Sequence, residues 1–221
     1  MMHSLATMPH DVRRGMRGVL TDIDDTLSTL GRIGAAAYAA MERLRAAGLL
    51  VVPVTGRPAG WCDHIARMWP VDAVVGENGG LYMIYDGAAR KLRRFYAATD
   101  AERRHNRARL KSIAARILRE VPGCALASDQ AFRETDVAID YREDVEPLSL
   151  ASVERIADIL RCEGMSAKIS SIHVNGWFGS YDKLSMTRTL FDLEFAIDLE
   201  VDREQFVFIG DSPNDEPMYD F

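Results

Sequence analysis

The chain reads as an α/β protein, a doubly wound, Rossmann-like parallel sheet into which a smaller α+β cap is inserted. Three observations predict this. Apolar runs of strand length alternate with helical stretches between residues 18 and 75. After Gly79-Gly80 the pattern changes to short, half-polar strands and two helices. From Lys183 it returns to a helix and the apolar strand Phe206-Val207-Phe208-Ile209, as though the first sheet were resumed. Strands that are apolar without alternation are those covered on both faces, and strand–helix–strand order implies right-handed crossovers in an open sheet.

The elements follow in order. After a polar leader, Gly18-Val19-Leu20-Thr21-Asp22 is a short strand, and Gly34 to Ala47 is a helix with Tyr38, Met41 and Leu44 on one side, stopped by Gly48. Leu49 to Val54 is a buried strand whose Pro53 argues against full pairing at that residue. Pro58 opens a helix that ends before Pro70, and Val71 to Val75 is the next strand. Leu81–Tyr85 and Leu92–Tyr96 read as partly exposed strands. Thr99-Asp100-Ala101-Glu102 is a capping box that starts a helix with Leu110, Ile113, Ile117 and Val121 on one side. Strands near Ala125–Ala127, Val137–Tyr141 and Lys168–Ile172, with a helix from Leu150 to Glu163, complete the inserted block. A helix from Leu184 to Phe195 precedes the last strand. The expected division is a discontinuous core over 15–84 and 172–221, with the cap over 85–171.

Composition excludes other classes. With 48% hydrophobic and 27% charged residues in 221, the chain is neither disordered nor a disulfide scaffold. Its net charge of −6 gives no reason to expect nucleic acid. The stretch from Arg90 to Arg119 holds eleven basic and two acidic residues, which reads first as a solvated helix face and second as a field drawing in anions. Cys62, Cys124 and Cys162 are widely spaced and form neither a zinc nor a disulfide pattern. No apolar run is long enough for a signal peptide or a membrane span, so a cytoplasmic protein without membrane partners is expected, as a monomer or weak homodimer.

Three strand ends carry candidate chemistry. In Leu20-Thr21-Asp22-Ile23-Asp24-Asp25-Thr26 close carboxylates follow a buried strand, and a divalent cation is the simplest compensation for their repulsion; a capped acidic turn is the alternative. Thr55-Gly56-Arg57 offers a hydroxyl, a free amide and a guanidinium before a helix, groups that hold phosphate oxygens but also build an ordinary cap. Arg57 stays open between a phosphate contact and a salt bridge. Gly210-Asp211-Ser212-Pro213-Asn214-Asp215 offers only oxygen ligands, the chemistry of Mg²⁺ rather than zinc. His173 with Asn175 could read a hydroxyl or simply be hydrogen-bonded. Trp177 and Phe178 are read on an exposed turn, either packing cap against core or stacking on a sugar ring, and Trp61 and Trp69 as core.

In this order and spacing the set resembles the haloacid dehalogenase superfamily of phosphohydrolases. Asp22-x-Asp24-x-Thr26 is similar to its first motif, Thr55 to its second, Lys183 to its third, and Gly210-Asp211-Ser212-x-Asn214-Asp215 to its fourth. The resemblance implies an aspartyl-phosphate on Asp22, with Asp24 as acid and then base. It implies that Thr55, Gly56, Arg57, Asn78, Lys183 and Asn214 bind substrate, and that Asp22, Asp211, Asp215 and the Asp24 carbonyl hold Mg²⁺. Only 31 residues separate Asp24 from Thr55, whereas 128 separate Thr55 from Lys183, so the cap falls in the second interval. That arrangement resembles the branch known as subfamily IIB, with a large α/β cap, which includes sucrose-phosphate and trehalose-phosphate phosphatases. The implied function is Mg²⁺-dependent hydrolysis of a small phosphorylated metabolite, a sugar phosphate first. A non-catalytic binding protein on the same core, a phosphotransfer module and a phosphomutase are the alternatives. The sequence stops six residues beyond Asp215, where this branch usually continues, so a shortened chain or a sheet lacking one edge is expected.

Overall fold

The computed structural model describes residues 7–221, and the first part of the leader, in which no secretion signal was read, lies outside the described residues. A short helix α1 (His10–Gly15) precedes β1 (Gly18–Thr21), a small hairpin β2 (Ser28–Thr29) and β3 (Arg32–Ile33), and α2 (Ala35–Ala46). Then come β4 (Leu50–Pro53), α3 (Ala59–Met68), β5 (Val74–Gly76) and the hairpin β6 (Leu81–Asp86) and β7 (Lys91–Tyr96). The inserted lobe holds α4 (Asp100–Glu120), β8 (Ala125–Leu126), β9 (Asp136–Asp140), α5 (Leu150–Cys162), β10 (Ser166–Ile169) and β11 (His173–Trp177). The chain returns through α6 (Lys183–Leu190), α7 (Leu199–Asp202), β12 (Phe206–Ile209) and α8 (Glu216–Asp220).

The core sheet is centred on β1, which pairs in parallel with β12 on one side and β4 on the other, Gly18 lying opposite both Phe206 and Leu50. A parallel bridge from Val54 to Val75 extends it to β5, and β6 and β7 continue it antiparallel. Successive side chains of an extended strand face opposite ways. Val52, Val54 and Val75 therefore pack with Met186, Leu190 and Phe191 on one face, while Val51 and Val74 pack with Met41, Cys62 and Ile65 on the other. Covering both faces requires the unalternating apolar strands that the sequence carries. Pro53 is the last residue of β4, where its missing N–H costs least, and the ladder resumes through the Val54 amide on the Thr21 carbonyl (2.8 Å).

The cap is a four-stranded antiparallel sheet, β10-β11-β9-β8, with α4 and α5 packed on it around Ile113, Ile117, Ile139, Ile156 and Leu160. Its helix α4 starts at the expected box, the Thr99 hydroxyl accepting from the Glu102 amide and the Glu102 carboxylate from the Thr99 amide. Strand pairing sets the limits of the lobes differently from the expected 85 and 171. The hairpin β6–β7 is paired to β5, whereas β11 is paired to β9, so the chain crosses between lobes near residues 97–99 and 178–182. Local pattern marks a strand but not its partner. Trp177 accordingly ends a buried strand and donates to the Tyr181 carbonyl (3.1 Å) instead of sitting on an exposed turn. Helix α6 stops at Leu190 and relaxes into one wider turn over Phe191–Phe195, closed by Ala196 in the left-handed region (φ 53°). Among the described residues no helix is long and apolar enough to cross a membrane.

The turn after β5 is left-handed at Glu77, Asn78 and Gly79 (φ 47°, 54° and 98°). A β-carbon on Gly79 would lie 2.0 Å from the Asp182 carbonyl oxygen. Asp182 caps α6, its carboxylate accepting from the Ser185 amide (2.8 Å). Backbone thus touches backbone where Lys183 begins its helix, and only glycine fits. Gly79→Ala should lower unfolding free energy by about 2 kcal/mol or more, combining left-handed strain with a backbone clash. Urea denaturation with an unchanged midpoint would refute this.

Candidate active site

The carboxyl ends of β12, β1 and β4 meet on one edge of the sheet, the place where open α/β sheets form sites. There the Asp22 amide donates to the Ile209 carbonyl (2.8 Å), which turns the buried Asp22 side chain off the end of the central strand. Lys183, the first residue of α6, is fully buried and donates from Nζ to Asp22 Oδ1 (2.9 Å) and Asp215 Oδ1 (2.6 Å). The other oxygen of Asp215 accepts from the amides of Asp211 (3.1 Å) and Ser212 (3.2 Å). The loop after β12 is thereby wrapped around one carboxylate. Asp22, Asp211 and Asp215 offer oxygens within 4.8 Å of one another.

One ammonium does not balance three carboxylates. Burial pushes the Asp22 carboxyl up to about 6, against the pull of Lys183 and with a further push from Asp215. Burial also raises Asp211, despite its hydrogen bond from Thr26. An all-oxygen, over-negative donor set of this kind can hold a hard divalent cation, which would relieve the repulsion.

Thr55 is fully buried just beyond β4. Its amide donates to the Val75 carbonyl (2.9 Å), its hydroxyl accepts from the Arg57 amide (3.1 Å) and its carbonyl accepts from the Asn78 amide (3.1 Å). Asn78 Oδ1 accepts from Asn214 Nδ2 (3.0 Å), joining the loop after β5 to the loop after β12, while the buried Asn78 Nδ2 has no partner. A β-carbon on Gly56 would crowd that same Asn78 amide at 3.1 Å. Thr55, Gly56, Asn78 and Asn214 therefore form one connected patch.

Asp24 lies outside the carboxylate cluster and faces Arg57 in a two-pronged pair, Nε to Oδ2 and Nη2 to Oδ1, each 2.8 Å. Arg57 also donates to Glu143 (2.8 Å) and Asp129 (3.3 Å) of the cap and stacks over the half-exposed Trp61 ring (4.4 Å to its centre). Of the two readings open for Arg57, its contacts here are the ion-paired one. Trp61, read as core, is its platform. Glu143 is presented by a turn in which the Asp140 carboxylate accepts the amides of Arg142, Glu143 and Asp144 (2.9, 2.7 and 2.8 Å). His173 Nε2 lies 2.9 Å from Glu143, and these two partners, His173 first, hold the Glu143 carboxyl down at about 2.

A second arginine answers from the cap. Arg133 donates to the Gly56 carbonyl (2.9 Å) and pairs with Asp129 and Asp136 (both 3.1 Å), and Asn175 donates to Asp136 (2.8 Å). Asp129, Arg133, Asp136 and Glu143 were not singled out in the sequence. The only local signal is charge inside or beside an apolar strand, as at Asp136 and Asp140. The opening bounded by Asp22, Asp24, Arg57, His173 and Asn214 measures ≈ 10 Å³, about the room of one water, so the cap is closed on the core.

No protein-family model matches the sequence, and no curated protein matches it. Solved structures do. A haloacid dehalogenase-like hydrolase from B. subtilis is 13% identical with a TM-score of 0.64, over 93% of this chain and 86% of that one. The C-terminal domain of the C. albicans trehalose-6-phosphate phosphatase is 12% identical with a TM-score of 0.69, over 95% and 75%. The Synechocystis sucrose-phosphatase, solved with sucrose and phosphate, is 16% identical with a TM-score of 0.59, over 93% and 80%. The fold is thus that of the haloacid dehalogenase-like hydrolases. Within it, the α/β cap enters between β7 and α6.

Arg57→Met would leave Asp24, Asp129 and Glu143 without their common cation and should cost about 3–5 kcal/mol, the usual penalty for stranding charges at a buried pair. A chemical-denaturation loss below about 1 kcal/mol would contradict this, being the range of exposed pairs. Asp22 binds its proton more tightly when folded (about 6) than its ordinary value of 3.8. Its contribution to stability is therefore complete below about pH 4 and lost as pH rises through 6. In chelator, the melting temperature of the wild type relative to Asp22→Asn should fall across that window, and Mg²⁺ should raise the wild-type value above pH 6. A difference independent of pH would count against the assignment.

Proposed function

We propose that this protein is a Mg²⁺-dependent phosphatase that hydrolyses a small sugar phosphate through an aspartyl-phosphate. The observation that carries the reading is the buried Lys183 ammonium bridging Asp22 and Asp215, beside Asp211, at the carboxyl edge of the sheet. Asp22 attacks phosphorus through a carboxylate oxygen, and the bond from phosphorus to the leaving oxygen breaks. Asp24 gives that oxygen its proton. Water then attacks the phosphorus of the acyl phosphate and passes a proton to Asp24, so Asp22 departs as carboxylate and inorganic phosphate is released. Lys183 offsets charge on Asp22 and the incoming phosphoryl group, and the Thr55 patch, with the unpartnered Asn78 Nδ2, receives phosphoryl oxygens. Mg²⁺, held by Asp22, Asp211, Asp215 and the Asp24 carbonyl, would supply the positive charge that lets one anion approach another.

In this arrangement Arg57 holds Asp24 as a carboxylate, so Asp24 takes up the proton it delivers once that pair opens. The sugar preference is supported by the cap over the site and by the sucrose and trehalose-phosphate phosphatases among the neighbours in fold. The test is phosphate release from sugar phosphates, phosphoglycerates and nucleotides with Mg²⁺. Release from a sugar phosphate should vanish in Asp22→Asn and after chelation, and fall by about 10²–10⁴ in Asp24→Asn, the range for general acid–base catalysis. Release that survives Asp22→Asn would overturn the reading.

A further inference from the structure

A second concavity lies away from the catalytic opening. It is a groove of ≈ 1090 Å³ on the flank, walled by α3 and β7 of the core and by α4, β8 and the turn at Gln130–Phe132 of the cap. Four of the thirteen exposed large hydrophobic side chains among the described residues line it: Met68 (64% exposed), Leu118 (37%), Leu126 (40%) and Phe132 (58%). Its charges are mostly spoken for. Arg67 and Arg94 both pair with Asp63 (2.7 Å each), Glu134 accepts from Tyr96, and Asp136 is held by Arg133. Arg107 and Lys111 line the groove too, and neither forms an ion pair within 4.0 Å among the described residues.

These features have an order along α4. Residues 107, 111, 114, 115 and 118 recur at three- and four-residue steps and share one face. Arg107 and Lys111, one turn apart, come first along it, and Ala114, Ala115 and Leu118 follow. At the helical rise, Arg107 and Leu118 are about 16 Å apart. A groove lined by two cations without an ion pair and by four exposed apolar side chains, of the size of small-molecule sites, has the complement of a particular chemical class.

We propose that this groove is a second ligand site, for a small amphiphilic anion whose acidic head sits on Arg107 and Lys111 and whose apolar body lies against Leu118, Leu126, Phe132 and Met68. Arg57 and Arg133 bridge the lobes beside the small pocket at Asp22 and Asp24, and on the phosphatase reading a substrate larger than water enters by parting those contacts. A ligand in contact with both walls binds the closed arrangement better and so opposes that parting. This regulatory consequence rests on the phosphatase reading, whereas the site itself does not.

The probe is anilinonaphthalene sulfonate, an aromatic anion whose fluorescence reports apolar binding, titrated into the full chain. Saturable binding to one site is expected, displaced by octanoate but not by octanol or inorganic phosphate. Arg107→Glu/Lys111→Glu and, separately, Ala115→Trp, which fills the floor, should each weaken it by about tenfold or more, the size that reversing or obstructing close charge-assisted contacts produces. Both variants should keep the wild-type circular dichroism and melting temperature. In the wild type the probe should lower kcat, and in the variants it should not. Displacement by phosphate, undiminished binding in both variants, or a dimer in sedimentation that the variants abolish would overturn the site, the last by giving the groove to a second copy. Failure of turnover alone, with groove binding as described, would overturn the phosphatase reading and leave the site standing.

Discussion

The closed arrangement depends on one guanidinium. Arg57 stands where the core loop after β4 meets the cap, and it faces Asp24 from its own lobe and Asp129 and Glu143 from the other. Without it three carboxylates would converge in a half-buried space. With it, the same cation that fixes Asp24 also holds the cap down. Arg133 repeats the device in reverse, a cap arginine donating to the Gly56 carbonyl of the core. Two arginines in one seam give fixed, forked geometry that lysines would not.

A similar economy governs the carboxylate cluster. Asp215 is wrapped by its own loop's amides on one oxygen and takes the Lys183 ammonium on the other, so its geometry is set before any ligand arrives. Asp22 keeps one oxygen without a protein hydrogen bond among the described residues, and burial first, with a push from Asp215, raises its proton affinity. The close approach of Gly79 to Asp182 makes this exact in space, because Lys183 starts its helix from that contact.

Much of the core was legible in the sequence because its signals are local. Phe206–Ile209 was placed to the residue, and the apolar runs before Asp22 and Thr55 announce doubly covered strands without help from distant residues. The residues Asp22, Thr55, Lys183, Asp211 and Asp215 stand at strand ends or helix starts, where pattern and position coincide. The cap was legible as a lobe but not in its pairing. The strand Leu92–Tyr96 and the strand His173–Trp177 each changed sides once their partners were visible, and the two-residue strands at Ser28 and Arg32 are too short to leave any periodicity. Arg57 shows the same limit at the site. Its type and position were informative, but its three carboxylate partners lie 33, 72 and 86 residues away in sequence, and nothing local points to Asp129 or Glu143.

On the proposed reading, a cap bridged to the core by Arg57 and Arg133 makes the site a gated one. Association then cannot outrun lid opening: as ligand concentration rises, the observed rate of entry levels off at the opening rate instead of climbing in proportion. Release passes through the same gate. The ion pairs that steady the closed lobes therefore set a clock as well as a geometry, and each one that is strengthened lengthens the residence of whatever is enclosed while slowing the admission of whatever comes next.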